Sequence, residues 1–170
     1  SLLKSKLSLP FVKAVYPTAN KAGIIKTDTE IHGIVLKGVD KDYNWDYIND
    51  NIIFGDVPKY IEHERSNEVV ISKVIADKLL LNVGDDVRIW FVGEDMKTRG
   101  RKFSIKGIYE TGLTECDERF IYCDINQIRR LNGWEENNVG HLEIALNDGF
   151  DTNEANNFIY YSIPTNLISY

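Results

Sequence analysis

Few residues in this chain have the types and spacing that chemistry requires. His32, His63 and His141 are the imidazoles a general base or a metal would use, but they are far apart in sequence. None stands at ligand spacing from another His or from a Cys, so structural or surface roles are expected for them. Cys116-Asp117-Glu118 sets a thiol beside two carboxylates. Negative neighbours disfavour a thiolate, so this setting opposes nucleophilic activation, and Asp117 fits better as a turn residue at the mouth of a strand. Gly33, Gly38, Gly107 and Gly112 never fall into the spacings that cradle a nucleotide. Lys97, Arg99, Arg101 and Lys102 form the one basic run. Such a run is either a solvated hairpin tip or a docking tip for an acidic partner, because clustered charge steers encounter. The expectation is therefore no catalytic residue, no metal ligand and no cofactor. Lys97, Arg99, Arg101, Leu113 and Asp117 are the candidate partner contacts.

These residues are positioned by a central stretch, residues 71–123. Ser72 reads as the N-cap of a short helix whose apolar stripe is Ile75, Ala76, Leu79 and Leu80. Val83-Gly84-Asp85-Asp86 turns the chain, and the period then changes to two. Val87, Ile89 and Phe91 are expected on one strand face, and Phe103, Ile105 and Tyr109 on another. Upstream, residues 1–9 read as a helix end stopped by Pro10. Val12–Tyr16 and Gly23–Thr27 read as two extended stretches, Ile31–Val39 as a strand, Tyr43–Ile48 as a helical turn and Ile52–Gly55 as a short buried strand. Residues 56–67 are linker-like, with proline, charges and no sustained period. Downstream, Asp124 and Gln127 have capping-box spacing. They open a helix lined by Ile125, Ile128 and Leu131 and closed by Asn132-Gly133. Leu142, Ile144 and Leu146 alternate with His141, Glu143 and Ala145 as a half-buried strand. Asn147-Asp148-Gly149 reads as a turn. Asp151 opens a second capping box, for a helix over Ala155, Phe158, Ile159 and Ile163 that Pro164 stops.

Composition bounds the class. The chain has 170 residues, 43% hydrophobic and 27% charged, which is ordinary for a globular protein and enough to bury a core. Its net charge of −6 argues against nucleic acid as a partner, since phosphate binding needs an excess of Lys and Arg. Cys116 and Cys123 are about 20 Å apart if the intervening chain is extended, beyond the ~7 Å reach of a disulfide. Two thiols are expected, and they do not settle the redox compartment. No run approaches the ~20 apolar residues that cross a bilayer, and no signal peptide is evident. The physical reading is a soluble piece cut from something longer.

Taken together, Ile71-Ser72, Ala76, Leu79, Val83-Gly84-Asp85, Val87, Phe103, Gly107-Ile108, Gly112 and Asp117 resemble the extracytoplasmic domain of ABC-transporter permeases. Ile34-Val35-Leu36-Lys37-Gly38-Val39-Asp40 is similar to that family's strand followed by Gly-Val-Asp. The resemblance spans roughly residues 20 to 148 and is greatest to the MacB-like periplasmic core domain of lipoprotein-releasing (LolC/LolE-type) permeases. It implies an α+β fold of two lobes, a split βαβ-type porter lobe (1–57 and 138–170) carrying an inserted β-rich sabre lobe (58–137). Pro58, Asn67, Trp134 and Asn138 are the hinge candidates. It also implies a non-enzymatic domain on the outer side of the inner membrane. Its partners would be the transmembrane remainder of the same chain, a separate cytoplasmic ATPase subunit, a second permease, and a lipoprotein or periplasmic chaperone. One permease type in the family carries a long hook that grips a chaperone. The short Gly93–Gly100 connection points instead to the hookless LolE-like partner or to a generic MacB-type permease. MacB-type efflux, FtsX-type signalling, a small hydrolase and a free-standing binding module are the rival readings.

Overall fold

The extended chain that starts at Val12 continues as one strand to Lys26 in the computed structural model, which describes residues 12–93, 96–133, 140–146 and 158–162. This strand, β1 (Val12–Lys26), replaces the two stretches expected on either side of Pro17. Proline is tolerated there because the ladder to the next strand begins only at Thr18↔Val39, while Pro17 itself stands opposite Leu142. The chain continues through β2 (Ile31–Val39), α1 (Asp46–Asp50), β3 (Ile52–Gly55), β4 (Glu68–Ser72), α2 (Lys73–Leu79) and β5 (Asp86–Val92). It then forms β6 (Thr98–Tyr109), α3 (Thr114–Arg119), β7 (Phe120–Asp124), α4 (Ile125–Asn132), β8 (His141–Leu146) and β9 (Phe158–Ser162).

All nine strands join one sheet, ordered β2-β7-β4-β6-β5-β1-β8-β9, with β3 added to β6. Because β1 also pairs with β2, six strands close into a ring: β1, β2, β7, β4, β6 and β5. The pairs β2–β7 and β4–β6 are parallel and the other ladders antiparallel, a mixed sheet with helices that is α+β as expected. Ladders β2–β7 and β1–β5 join strands from residues 1–57 to strands from residues 58–137. Among the described residues no helix is long and apolar enough to cross a membrane.

Strands β4 and β7, the second half of β2 and the end of β6 are buried on both faces, which is why β4 and β7 read as near-continuous apolar runs. One face contributes Ile34, Leu36, Ile121, Cys123, Val69, Ile71, Phe103, Ile105 and Ile108 to the main core under α2 and α4. The other contributes Val39, Tyr122, Val70 and Tyr109 to a second, aromatic cluster completed by Tyr43, Ile48 and Tyr60. Tyr109 therefore does not share a face with Phe103 and Ile105. The β4–β6 register steps from Val69↔Ile105 to Val70↔Gly107, so Lys106 is an extra residue that inverts the side chains after it. At that bulge a Cβ on Gly107 would lie 2.2 Å from the Asp56 carbonyl oxygen, so only glycine lets the chains approach.

Local chemistry explains the helices. Ser72 caps α2, its hydroxyl accepting from the Ile75 N–H at 3.1 Å, and Ile75, Ala76 and Leu79 are buried. Leu80 leaves the expected stripe: it ends the helix at φ 56° and is 85% exposed, while Leu81 packs on the core instead. Asp124 caps α4 as expected, accepting from Asn126 N at 3.0 Å. Gln127 does not complete the reciprocal box, because its side chain donates to the Ser66 carbonyl at 2.7 Å. Gly133 takes the left-handed φ of 65° that closes α4.

Three further expectations are corrected. β3 is exposed rather than buried, with Phe54 at 60%, since it only extends one side of β6. Residues 158–162 are a strand, not part of a helix. The residue types in Phe-Ile-Tyr-Tyr favour strand, and β8 offers an edge with which the segment pairs antiparallel. β4 was not anticipated, although Val69-Val70-Ile71 carries the apolar signal. The helix expected over residues 1–9, the turn at 147–149, and Ala155 and Ile163 of the second capping-box helix lie outside the described residues.

Candidate functional site

The structure disperses the residues that chemistry would need. His32 lies on β2 and contacts the Glu118 carbonyl at 3.3 Å, His63 is exposed beside Glu62, and His141 sits on β8. Among the described residues no three His, Cys, Asp or Glu side chains group as a metal site. Both cysteines are free, and they belong to opposite sides of the sheet. Cys116 packs in the aromatic cluster, its sulfur 3.8 Å from the Tyr109 hydroxyl. Cys123 is in the main core, where burial and then the charge of Asp124 push its thiol well up.

Asp117 is in the first helical turns of α3, not in a loop, and is only 5% exposed. Its carboxylate accepts from Thr111 N at 3.1 Å, Thr111 Oγ1 at 2.6 Å and Gly112 N at 2.9 Å. Its own carbonyl accepts from the Ser72 hydroxyl. One residue, through its carboxylate and its main-chain carbonyl, thus ties the β6–α3 turn to the cap of α2. That turn presents Leu113, which is 41% exposed.

The basic residues are not all at a tip. The β5–β6 connection is residues 93–97, and the Lys97 carbonyl accepts from Gly93 N at 2.9 Å. Arg99 and Arg101 belong to β6, opposite Phe91 and Ile89. Directly opposed residues share a face, so both arginines continue the core face of β6 past Phe103. Burial, followed by the charges of Arg65, Arg130 and Arg99, lowers the Arg101 guanidinium pKa from its ordinary value.

Pro58 is buried, and the Asn67 carbonyl accepts from Ser104 N at 2.9 Å. Ser66 N donates to Asp124 at 2.9 Å, and the Asn126 side chain donates to the Glu64 carbonyl at 3.0 Å. Residues 64–67 are thereby tied to α4 and β6. Trp134 and Asn138 lie outside the described residues.

One polar feature escaped the sequence reading. Lys37 and Glu143, 3% and 1% exposed, form an ion pair at 2.8 Å. The Tyr43 hydroxyl donates to the second carboxylate oxygen at 3.4 Å, and the ammonium stands 5.7 and 5.4 Å from the ring centres of Tyr43 and Tyr122. The available signal was a lysine inside the apolar run Ile34-Val35-Leu36-Lys37-Gly38-Val39. Nearby, burial raises the Asp40 carboxyl to about 6 against the hydrogen bond it accepts from Asp42 N.

Residues 2–159 match the family described as the MacB-like periplasmic core domain. The extracellular domain of the noncanonic ABC-type transporter YknZ from Gram-positive bacteria superposes with a TM-score of 0.56 at 18% identity, over 86% of this chain and 72% of that one. The periplasmic region of MacB from Actinobacillus actinomycetemcomitans gives a TM-score of 0.54 at 14% identity, over 87% of this chain and 64% of that one. This chain thus spans less than two thirds of that MacB region. No curated protein matches the chain.

Proposed function

Since the chain belongs to the MacB-like periplasmic core domain family of ABC-transporter permeases, we propose that it couples ATP-driven motion of transmembrane helices to the handling of lipoprotein cargo. In this reading the domain stands outside the inner membrane and makes or breaks no bond itself. A cytoplasmic ATPase subunit supplies the energy, and a second permease and a lipoprotein or periplasmic chaperone are its other partners.

The observation that carries the mechanical part is β1. This strand of 15 residues is hydrogen-bonded to β2, β5 and β8, and β9 is bonded to β8 in turn. Displacement at either strand is carried in shear across ladders that lead into the closed ring, which suits rigid-body transmission. Within this proposal the porter (1–57 and 138–170) and sabre (58–137) segments are divisions of one sheet, and Pro58, Asn67, Trp134 and Asn138 are its joints. Lys97, Arg99 and Arg101 make the docking end. Leu113 offers an apolar contact, and Asp117 positions it. The short Gly93–Gly100 connection supports the hookless, LolE-like type or a generic MacB-type permease.

The test reconstitutes the full-length parent permease with its ATPase in proteoliposomes loaded with a lipoprotein. ATP-dependent release that is lost when the domain is deleted is the expected result. Release that persists without the domain, or a parent that never associates with an ATPase, overturns the reading.

A further inference from the structure

The core face of β6 changes character at Arg101. Phe103 and Ile105 are sealed, 0% and 1% exposed, whereas Arg101 is half-buried and Arg99 exposed on the same face. Beside them is an open recess of about 510 Å³ lined by Arg65, Ser66, Asn67, Gly100, Arg101, Lys102 and Gln127. Three cations line it and no carboxylate does, in a chain whose net charge is −6. Lys102 is shared with Asp86 at 3.7 Å, but no described carboxylate is within ion-pair distance of Arg65, Arg101 or Arg130. Asp124 lies behind the recess, where its oxygens accept from Ser66 N and Asn126 N.

The recess is also built. Gln127 and Asp124 fix the 65–67 segment from α4, and β6 fixes it through Ser104 N donating to the Asn67 carbonyl. Like charges held together are a standing cost, offset only in part by Asp86 beside Lys102 and by Asp124, whose carboxylate feels Arg65, and an incoming anion removes the rest. Guanidinium forks match carboxylates bidentately.

We infer that this recess, with Arg130 at its rim, is the docking site for a carboxylate-rich segment of a partner protein. The charges come from three separate elements, so a string of carboxylates spans them where one small ion does not. The inference deepens the docking part of the proposed function, resting on it only in taking the occupant to be a protein, and it relocates the contact from the hairpin tip to the strand face.

The test titrates the 170-residue chain with an oligoglutamate peptide at low ionic strength, followed by backbone amide NMR. Ser66, Asn67, Gly100, Arg101, Lys102 and Gln127 amides are expected to shift, an oligoglutamine peptide leaving them in place. Arg101→Gln and the exposed Arg130→Gln each weaken binding about tenfold, the effect of one charge-assisted hydrogen bond, while Arg101→Lys loses less. Lys78→Gln on α2 has the same charge change and leaves binding intact. Inorganic phosphate shifting the same amides as strongly overturns the inference in favour of a simple oxyanion site. Vesicles of phosphatidylcholine and phosphatidylglycerol in equal parts binding where the peptide does not overturn it in favour of lipid. Equal weakening by Lys78→Gln, or no shift at all, overturns it outright. None of these outcomes depends on the proteoliposome assay, so the two readings fail separately.

Discussion

Replacing Lys37 with Met strands Glu143 in the aromatic cluster and tests the role of the buried pair directly. At 2.8 Å and an effective dielectric of ~20, the attraction between the two charges is about 6 kcal/mol. Desolvating two ions costs several kcal/mol each, so the net worth of the pair is small even though each member depends on the other. Lys37→Met removes the attraction and leaves the desolvation of Glu143 uncompensated. The Tyr43 hydroxyl, 3.4 Å away, is a weak substitute. A loss of about 3–5 kcal/mol is expected, lowering the urea midpoint of the chain by on the order of 2 M at unchanged slope. The double variant Lys37→Met with Glu143→Leu is expected to recover to within about 1 kcal/mol of the parent, because neither charge is then buried alone. A single variant that loses less than about 1 kcal/mol, or a double variant no better than the single, refutes the reasoning.

Other outcomes follow from single contacts. Asp117→Ala removes three hydrogen bonds at a buried carboxylate and is expected to lower unfolding free energy by about 2–4 kcal/mol in chemical denaturation, Asp117→Asn by about half of that. Gly107→Ala drives a methyl into the Asp56 carbonyl and should lose about 3 kcal/mol, while Gly33→Ala meets nothing within 4 Å and should stay within about 0.5 kcal/mol in the same measurement. The Asp40 carboxyl, raised from 3.8 to about 6, keeps its proton in the folded state after the unfolded chain has released it. Stability from this group is therefore greatest at acid pH and declines as pH rises from about 4 to about 6, by about 2 kcal/mol after allowance for partial exposure. Asp40→Asn should flatten that decline in thermal unfolding at a series of pH values; an undiminished slope would count against the burial argument.

What local sequence determines here is what local physics controls. Ser72, Asp124 and Gly133 end helices through bonds to residues two to four positions away, so their roles are visible in the chain itself. The alternation of Val87, Ile89 and Phe91 announces β5 for the same reason, and all three are buried. Tertiary structure decided what depends on partners distant in sequence. The extra residue at Lys106, which sends Tyr109 to the opposite cluster, exists only because β4 and β6 pair out of step. Phe158–Ser162 has apolar residues compatible with either period, and the β8 edge settles it as strand. Glu143 reads as the polar side of a half-exposed strand, yet Lys37, from β2, makes its burial tolerable. Arg65, Arg101 and Arg130 are separated in the sequence by dozens of residues, and only the tertiary fold, which ties the 64–67 segment to both α4 and β6, brings them together. A contact between strands has no signature in either strand alone, because its energy belongs to the pair.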